Sequence, residues 1–148
     1  MSRYMVLGVM CVALLVGCGE EEIGDVKIVP PQSEHQVSET AIYFPDGVGI
    51  DFGLMPVKDN IREEKDGKRS RVVVYEFSKY TPEHIDIALS EVFKDGGYIR
   101  KEIPSREFDL SVQYRKENIQ NVRAQYKVRL REGFDKRTVL TIFWRIPE

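Results

Sequence analysis

Alternation of apolar and polar residues in the C-terminal half most constrains how this protein can fold. The alternating segments cover residues 108–115, 122–130 and 139–146. Successive side chains of a β-strand point to opposite faces, so a period of two predicts strands with one buried and one solvated face. Such strands are typical of antiparallel sheets. The segments between them, residues 116–121 and 132–136, are short enough for hairpin loops.

A single amphipathic helix is predicted over about residues 82–95. Thr81 is a good N-cap, and Pro82 suits the first helical position. Apolar residues follow at the spacing of one buried helix face, namely Ile85, Ala88, Leu89 and Val92. Gly96 and Gly97 then supply a stop signal, because glycine accepts the left-handed conformation that ends many helices.

The region before the helix has the pattern of shorter strands joined by turns. Residues 42–44 and 48–54 flank the turn signal Pro45-Asp46-Gly47. The pair Asp66-Gly67 predicts a two-residue hairpin turn of type I′, with residues 71–77 as its second strand.

Two further short strands have a weaker pattern, at residues 98–103 and, near the N-terminus, at residues 26–29. The order of strands, one helix and then more strands predicts an α+β fold. We expect a mainly antiparallel, twisted sheet that is strand-rich in the C-terminal half, with the helix packed on one face.

The start of the chain follows a different pattern, typical of a targeting segment. Arg3 precedes an apolar run over residues 5–16, and the run ends in Leu15-Val16-Gly17-Cys18. The run is shorter than the roughly 20 apolar residues that a membrane-spanning helix needs. Residues 1–18 resemble the lipobox signal peptide of bacterial lipoproteins. A plain secretory signal peptide is the alternative.

The resemblance implies a processing step and a location. Residues 1–17 would be removed, and Cys18 would carry acyl chains, palmitate among them, that anchor the protein in a lipid bilayer. The implied location is the bacterial cell envelope, with the domain facing the periplasm. In Gram-negative members of this class, Asp after the cysteine favours the inner membrane. Gly19 stands there in this protein, which favours the outer membrane over the inner membrane.

Three parts are therefore expected along the sequence. Residues 1–17 form the signal peptide, residues 18–40 the lipidated cysteine and a flexible tether, and residues 41–148 a single α+β domain. Cys11 leaves with the signal peptide and Cys18 is acylated. The mature protein then has no thiol for a disulfide, a nucleophile or a metal site.

The net charge of −2 conceals an uneven distribution along the sequence. Acidic residues outnumber basic ones before Tyr98, and basic residues dominate from Tyr98 onward. In the envelope a basic surface would meet anionic lipid, lipopolysaccharide, a cell-wall polymer or an acidic protein. A nucleic-acid partner is not expected.

Residues that support catalysis are scarce, so we expect no enzymatic activity. His35 lies in the predicted tether and His84 in the first turn of the helix. The sequence contains no nucleophile elbow, paired-histidine metal motif or phosphate-binding glycine loop. We expect no catalytic residue, no cofactor and no metal. A calcium site built from Asp46, Asp51 and Asp59 is the alternative to an acidic, solubilising turn, which is the favoured interpretation.

A candidate partner-binding surface is predicted on the outward face of the last strands. It combines cations with an aromatic ring, as interface hot spots do, and consists of Arg115, Arg123, Lys127, Arg129, Phe143 and Arg145. The alternative is a face balanced by Asp109 and Glu117 or covered by the N-terminal segment.

The expected function is that of a non-catalytic, protein-binding accessory module of an envelope assembly. The lipid anchor, the small domain and the lack of catalytic residues all fit this role. The alternative is an immunity protein, which would inhibit a toxin delivered into the periplasm during interbacterial competition.

Overall fold

A computed structural model describes residues 27–29, 38–130, 133 and 135–147. The predicted signal peptide, Cys18 and most of the predicted tether lie outside the described residues. The first strands are β1 (Lys27–Val29), β2 (Ile42–Tyr43) and β3 (Gly49–Asp51). They form a small antiparallel sheet in the order β1-β3-β2.

A larger antiparallel sheet forms the body of the domain. Its strands are β4 (Lys58–Glu63), β5 (Arg69–Phe77), β6 (Ile99–Glu102), β7 (Leu110–Arg115), β8 (Val122–Arg129) and β9 (Arg137–Arg145). These six strands have the order β4-β5-β9-β8-β7-β6. The helix α1 (Pro82–Asp95) connects β5 to β6. The predicted α+β fold and the predicted position of the helix are therefore confirmed.

Helix α1 and the small sheet pack on the same face of the six-stranded sheet, which we call the inner face. Phe93 of α1 stacks on Tyr114 of β7, with ring centroids 4.2 Å apart. Phe44, which follows β2, meets Trp144 of β9 at 4.8 Å between ring centroids. These aromatic contacts place the hydrophobic core between the inner face and its two covers.

The ends of α1 follow from the residues that the sequence supplies there. The side chain of Thr81 accepts a hydrogen bond from the backbone N–H of His84, as an N-cap should. At the other end Gly97 has a φ of 81°, and the N–H of Tyr98 donates to the carbonyl of Phe93 at 2.8 Å. This is the Schellman arrangement, which requires a left-handed residue at the position of Gly97. Among the described residues, no helix is long and apolar enough to cross a bilayer.

The Asp66-Gly67 turn joins β4 to β5 as predicted, but the predicted type I′ geometry is wrong. Type I′ needs a positive φ at both central residues. Gly67 has a φ of 78°, whereas the φ of Asp66 is not positive. The N–H of Gly67 donates to the carbonyl of Glu64 at 3.0 Å. The loop is thus a type I turn closed by a glycine bulge, which spares Asp66 the left-handed backbone.

A buried carboxylate fastens α1 to the inner face. Asp86 is 5 % exposed. Its Oδ1 accepts hydrogen bonds from the hydroxyls of Tyr114 at 2.7 Å and Tyr126 at 3.1 Å. Its Oδ2 accepts from Nε and Nη2 of Arg100 at 2.9 and 2.7 Å. We call these four residues the Asp86 cluster. Burial raises the pKa of both tyrosine hydroxyls, so they stay protonated as donors at neutral pH.

Candidate functional site

The face of the six-stranded sheet opposite α1, the outer face, carries the predicted binding surface. Along β8, Val122, Ala124 and Tyr126 are buried against the inner face, so the residues between them point outward. The pairing register extends this assignment to β7 and β9, although the outward residues Ser111, Gln113 and Val139 are themselves buried. The outward positions include Arg115, Arg123, Lys127, Arg129, Phe143 and Arg145. Within the described part of the protein, no helix or strand packs on this face.

One row of residues across the sheet has Arg123 and Phe143 at its centre. From β6 to β4 the register aligns Lys101, Gln113, Arg123, Phe143, Val72 and Asn60. The guanidinium carbon of Arg123 lies 5.4 Å from the centroid of the Phe143 ring. This cation–π contact holds the planar guanidinium in place while its N–H edge remains free to donate.

An apolar strip runs along β5 and β9 on the outer face. It is formed by the half-buried Val72, Val74 and Phe143, with the half-buried Thr141 between them, and it ends at Val139, which is only 7 % exposed. Basic residues flank the strip on both sides, namely Arg123, Lys127 and Arg129 on β8 and Lys58 and Arg62 on β4. The surface is therefore apolar along its middle and positively charged along both margins.

The sequence pattern did not predict which residues of β4 and β5 lie on the outer face. Strand β4 is polar or charged at nearly every position, so it offers no period from which to assign its faces. The run Val72-Val73-Val74 is apolar on both faces, which hides the fact that Val73 alone of the three points into the core. The pairing of β5 with β9 assigns the faces of β5, and the pairing of β4 with β5 then assigns those of β4.

Two of the predicted cations already have polar partners. Arg115 donates through Nε and Nη2 to Oε1 of Gln113 at 2.9 and 2.7 Å. Arg145 pairs through Nη2 with Oε2 of Glu64 at 3.0 Å. Hydrogen bonds from the Ser70 hydroxyl and then from Arg145 lower the pKa of Glu64, so this carboxylate is ionised at neutral pH.

The other end of the outer face carries charge that is not neutralised. The Nζ of Lys127 lies 6.0 Å from the centroid of the Phe108 ring. Arg129 stands directly across from Arg137, a like-charged pair. Of the two, Arg137 is held by Glu76 at 3.1 Å. Neither Lys127 nor Arg129 has a carboxylate partner among the described residues.

Asp109, one of the two acidic residues named as counter-charges with Glu117, takes another role. Oδ2 of Asp109 accepts a hydrogen bond from the backbone N–H of Val128 at 2.6 Å. It therefore fixes the start of β7 to the end of β8, and it forms no ion pair with a cation of the outer face in the described part of the protein.

The acidic residues considered for calcium are engaged separately. Asp46 pairs with Lys116 at 2.9 Å, and Asp59 pairs with Arg71 at 2.7 Å. Oδ1 of Asp51 accepts hydrogen bonds from a threonine hydroxyl and a backbone N–H. No group of three or more potential metal ligands forms among the described residues.

A depression of about 360 Å³ opens at one end of the outer face, and we call it the Arg123 depression. Its lining consists of Glu64, Ser70, Gln113, Gln120, Asn121, Arg123, Phe143, Trp144 and Arg145. Three predicted site residues, Arg123, Phe143 and Arg145, therefore meet here. The remaining three, Arg115, Lys127 and Arg129, do not line it.

No family model matches the sequence, and neither a curated protein nor a solved structure shows significant similarity to it. The proposed function therefore rests on the geometry of the outer face. The outer face offers guanidinium and amide donors, an aromatic ring and an apolar strip. This combination suits the binding of an acidic surface that also carries apolar side chains.

Proposed function

We propose that this is a lipid-anchored envelope protein that binds an acidic protein partner through its outer face and performs no catalysis. The observation that carries the proposal is the apolar strip with basic margins, which no helix or strand of the described residues covers. The anchor is proposed from the lipobox at residues 15–18. In this role the protein would be an accessory subunit of an envelope assembly.

The way the cations are held favours a protein partner over a lipid surface. Arg123 is stacked on Phe143, and Arg115 is hydrogen-bonded to Gln113. Planar guanidiniums fixed in this way suit directional, bidentate contacts with carboxylates. Phe143 is itself half-buried, so it offers a ring face to a partner and has little freedom to insert into a bilayer.

The anchor has a direct test in the substitution Cys18→Ala. Each buried methylene of an acyl group contributes about 0.8 kcal/mol of membrane affinity, and two or three such groups hold a protein firmly. We expect Cys18→Ala to move the protein from the membrane fraction to the soluble fraction of the cell. Cys11→Ala is the matched control, because it removes the other cysteine of the sequence, and it should stay membrane-bound. Full retention of Cys18→Ala in the membrane would contradict the anchoring proposal.

The binding face is tested by reversing charge at its unneutralised end. Full-length protein is used to capture partners from envelope and secreted extracts, and a captured protein is then purified. We expect Lys127→Glu combined with Arg129→Glu to weaken its binding at least tenfold, because both side chains are exposed and positive. Added salt should weaken binding by the native protein as well, since exposed charges are screened.

A matched control keeps this test specific to the outer face. Lys65→Glu combined with Arg106→Glu makes the same change of charge at exposed loop positions, and it should alter the affinity less than twofold. Equal affinity of both double variants, with unchanged circular dichroism, would overturn the proposal. The proposal would also be overturned if the protein bound anionic lipid vesicles but captured no protein partner. A resident envelope protein as partner would support the assembly role, and inhibition of a secreted toxin would support the immunity role.

A further inference from the structure

The Arg123 depression has the composition of a site for a small anionic group. Its walls supply the guanidiniums of Arg123 and Arg145 and the side-chain amides of Gln113, Gln120 and Asn121. Oε1 of Gln113 already accepts hydrogen bonds from Arg115, so Nε2 of Gln113 is the amide group that can donate to a ligand. Hydrogen-bond donors from separate strands and from one loop thus converge on one space.

The guanidinium N–H groups of Arg123 are available to donate hydrogen bonds to a ligand. The ring of Phe143 contacts its guanidinium, yet no acceptor among the described residues is hydrogen-bonded to it. The side chain is half-buried, flanked across the strands by Gln113 and Phe143. A fixed, partly desolvated guanidinium with a free edge is a recognition element for a planar anion.

The charge balance of the depression selects the kind of anion. Arg145 is neutralised by carboxylates, since it pairs with Glu64 at 3.0 Å and also with Asp66, outside the lining, at 3.6 Å. Arg123 has no carboxylate partner among the described residues. The ionised Glu64 also repels a doubly charged group such as phosphate. The positive charge of Arg123 is therefore the one left unpaired in the lining, and a single carboxylate matches it.

We propose that the Arg123 depression binds a single carboxylate group of the partner protein, with Arg123 as its bidentate donor and Gln113 and Asn121 as amide donors. This proposal rests on the proposed function and adds the chemistry of the contact. The carboxylate can come from an aspartate or glutamate side chain or from the C-terminus of the partner. Both sources present the same planar group, and the two are separated by experiment.

The test is an NMR titration of the full-length, ¹⁵N-labelled protein in detergent micelles. The probes are N-acetyl-glutamate amide, which carries only a side-chain carboxylate, and N-acetyl-alanine, which carries only a C-terminal one. N-acetyl-glutamine amide is the uncharged probe, and inorganic phosphate is the doubly charged one. We expect one carboxylate probe to shift the Nε–H signal of Arg123 saturably and the uncharged probe to leave it unchanged.

Variants assign the effect to the depression. Arg123→Gln should weaken binding of the carboxylate probe at least tenfold, because the bidentate donor is lost. Arg106→Gln removes an exposed loop arginine instead and should change the affinity less than twofold. The absence of a saturable shift at Arg123 would overturn the proposal, as would equal effects of the two variants. Tighter binding of phosphate than of either carboxylate would overturn the choice of anion.

The two proposals fail in different ways. If the carboxylate probes do not bind but Lys127→Glu with Arg129→Glu still abolishes partner binding, the outer face remains the interface and the carboxylate site is wrong. If the probes bind as expected but charge reversal leaves every partner in place, the carboxylate site stands and the proposed interface is wrong.

Discussion

Replacing Asp86 by asparagine should lower the free energy of unfolding by about 3 kcal/mol. Losing one partner of a buried, hydrogen-bonded charge pair costs about 3–5 kcal/mol. The lower end applies here because the side chain of Arg100 is 36 % exposed and can be hydrated when its partner is lost. The amide that replaces the carboxylate also brings an N–H₂ group towards hydroxyls that already act as donors. Chemical denaturation of the native protein and the variant measures the difference.

Conservative variants measure how much each member of the Asp86 cluster contributes to the free energy of unfolding. Tyr126→Phe removes the longer of the two hydroxyl contacts, 3.1 Å from Asp86, and should cost about 1 kcal/mol. Arg100→Gln leaves the carboxylate of Asp86, which is 5 % exposed, without its counter-charge, and it should therefore cost about 3 kcal/mol. A loss of less than about 1 kcal/mol for Asp86→Asn would show that the cluster adds little to the native state.

Raising the pH above about 10 should unfold the protein cooperatively. Burial raises the pKa of Tyr75, Tyr98, Tyr114 and Tyr126 above the ordinary value of 10.0. The unfolded protein then loses these protons at about pH 10, while the folded protein keeps them. Stability is therefore complete below about pH 10 and declines as the pH rises, by about 1.4 kcal/mol per pH unit for each such tyrosine. The combined slope for the four tyrosines, about 5.6 kcal/mol per pH unit, is large beside the typical stability of a domain.

The alkaline transition is followed by circular dichroism and by the ultraviolet absorbance of tyrosinate. Ionisation of the buried tyrosines should appear in the same transition as the loss of structure. Tyr75→Phe is the informative variant, because the Tyr75 hydroxyl is buried without a hydrogen-bond partner among the described residues. Its removal should leave the stability at neutral pH nearly unchanged and reduce the slope by about 1.4 kcal/mol per unit. Tyrosinate absorbance that develops well before unfolding would contradict this account.

Local patterns predicted the elements of this fold well. The period of two in β8 assigned Arg123, Lys127 and Arg129 to the outer face, because Val122, Ala124 and Tyr126 point into the core. The alternation does not extend to Leu130, which follows the strand and is 81 % exposed. The cap and stop signals placed α1 at residues 82–95. Both predictions depend on residues close together in the sequence, which is the range over which such patterns operate.

Pairings between distant residues were beyond those patterns. Asp86 reads as a polar position of an amphipathic helix, whereas its hydroxyl partners lie 28 and 40 residues further along the sequence. The depression likewise joins Ser70, Asn121 and Arg145, from three strands or loops that only the sheet order brings together. The turn at Asp66-Gly67 was misassigned for a different reason, since the pair fits both a type I′ turn and a type I turn with a bulge.

If Cys18 carries the proposed anchor, the pairing of β1 with β3 limits how far the domain can stand from the membrane. Only three residue pairs hold β1 in the small sheet. While they hold, an acylated Cys18 is separated from the domain by the segment up to Lys27, which spans at most about 30 Å. Release of β1 would extend that limit to the segment up to Ile42, about 80 Å. On the proposed anchor, β1 would then act as a mechanical latch, because its three residue pairs would yield to tension before the larger sheet does.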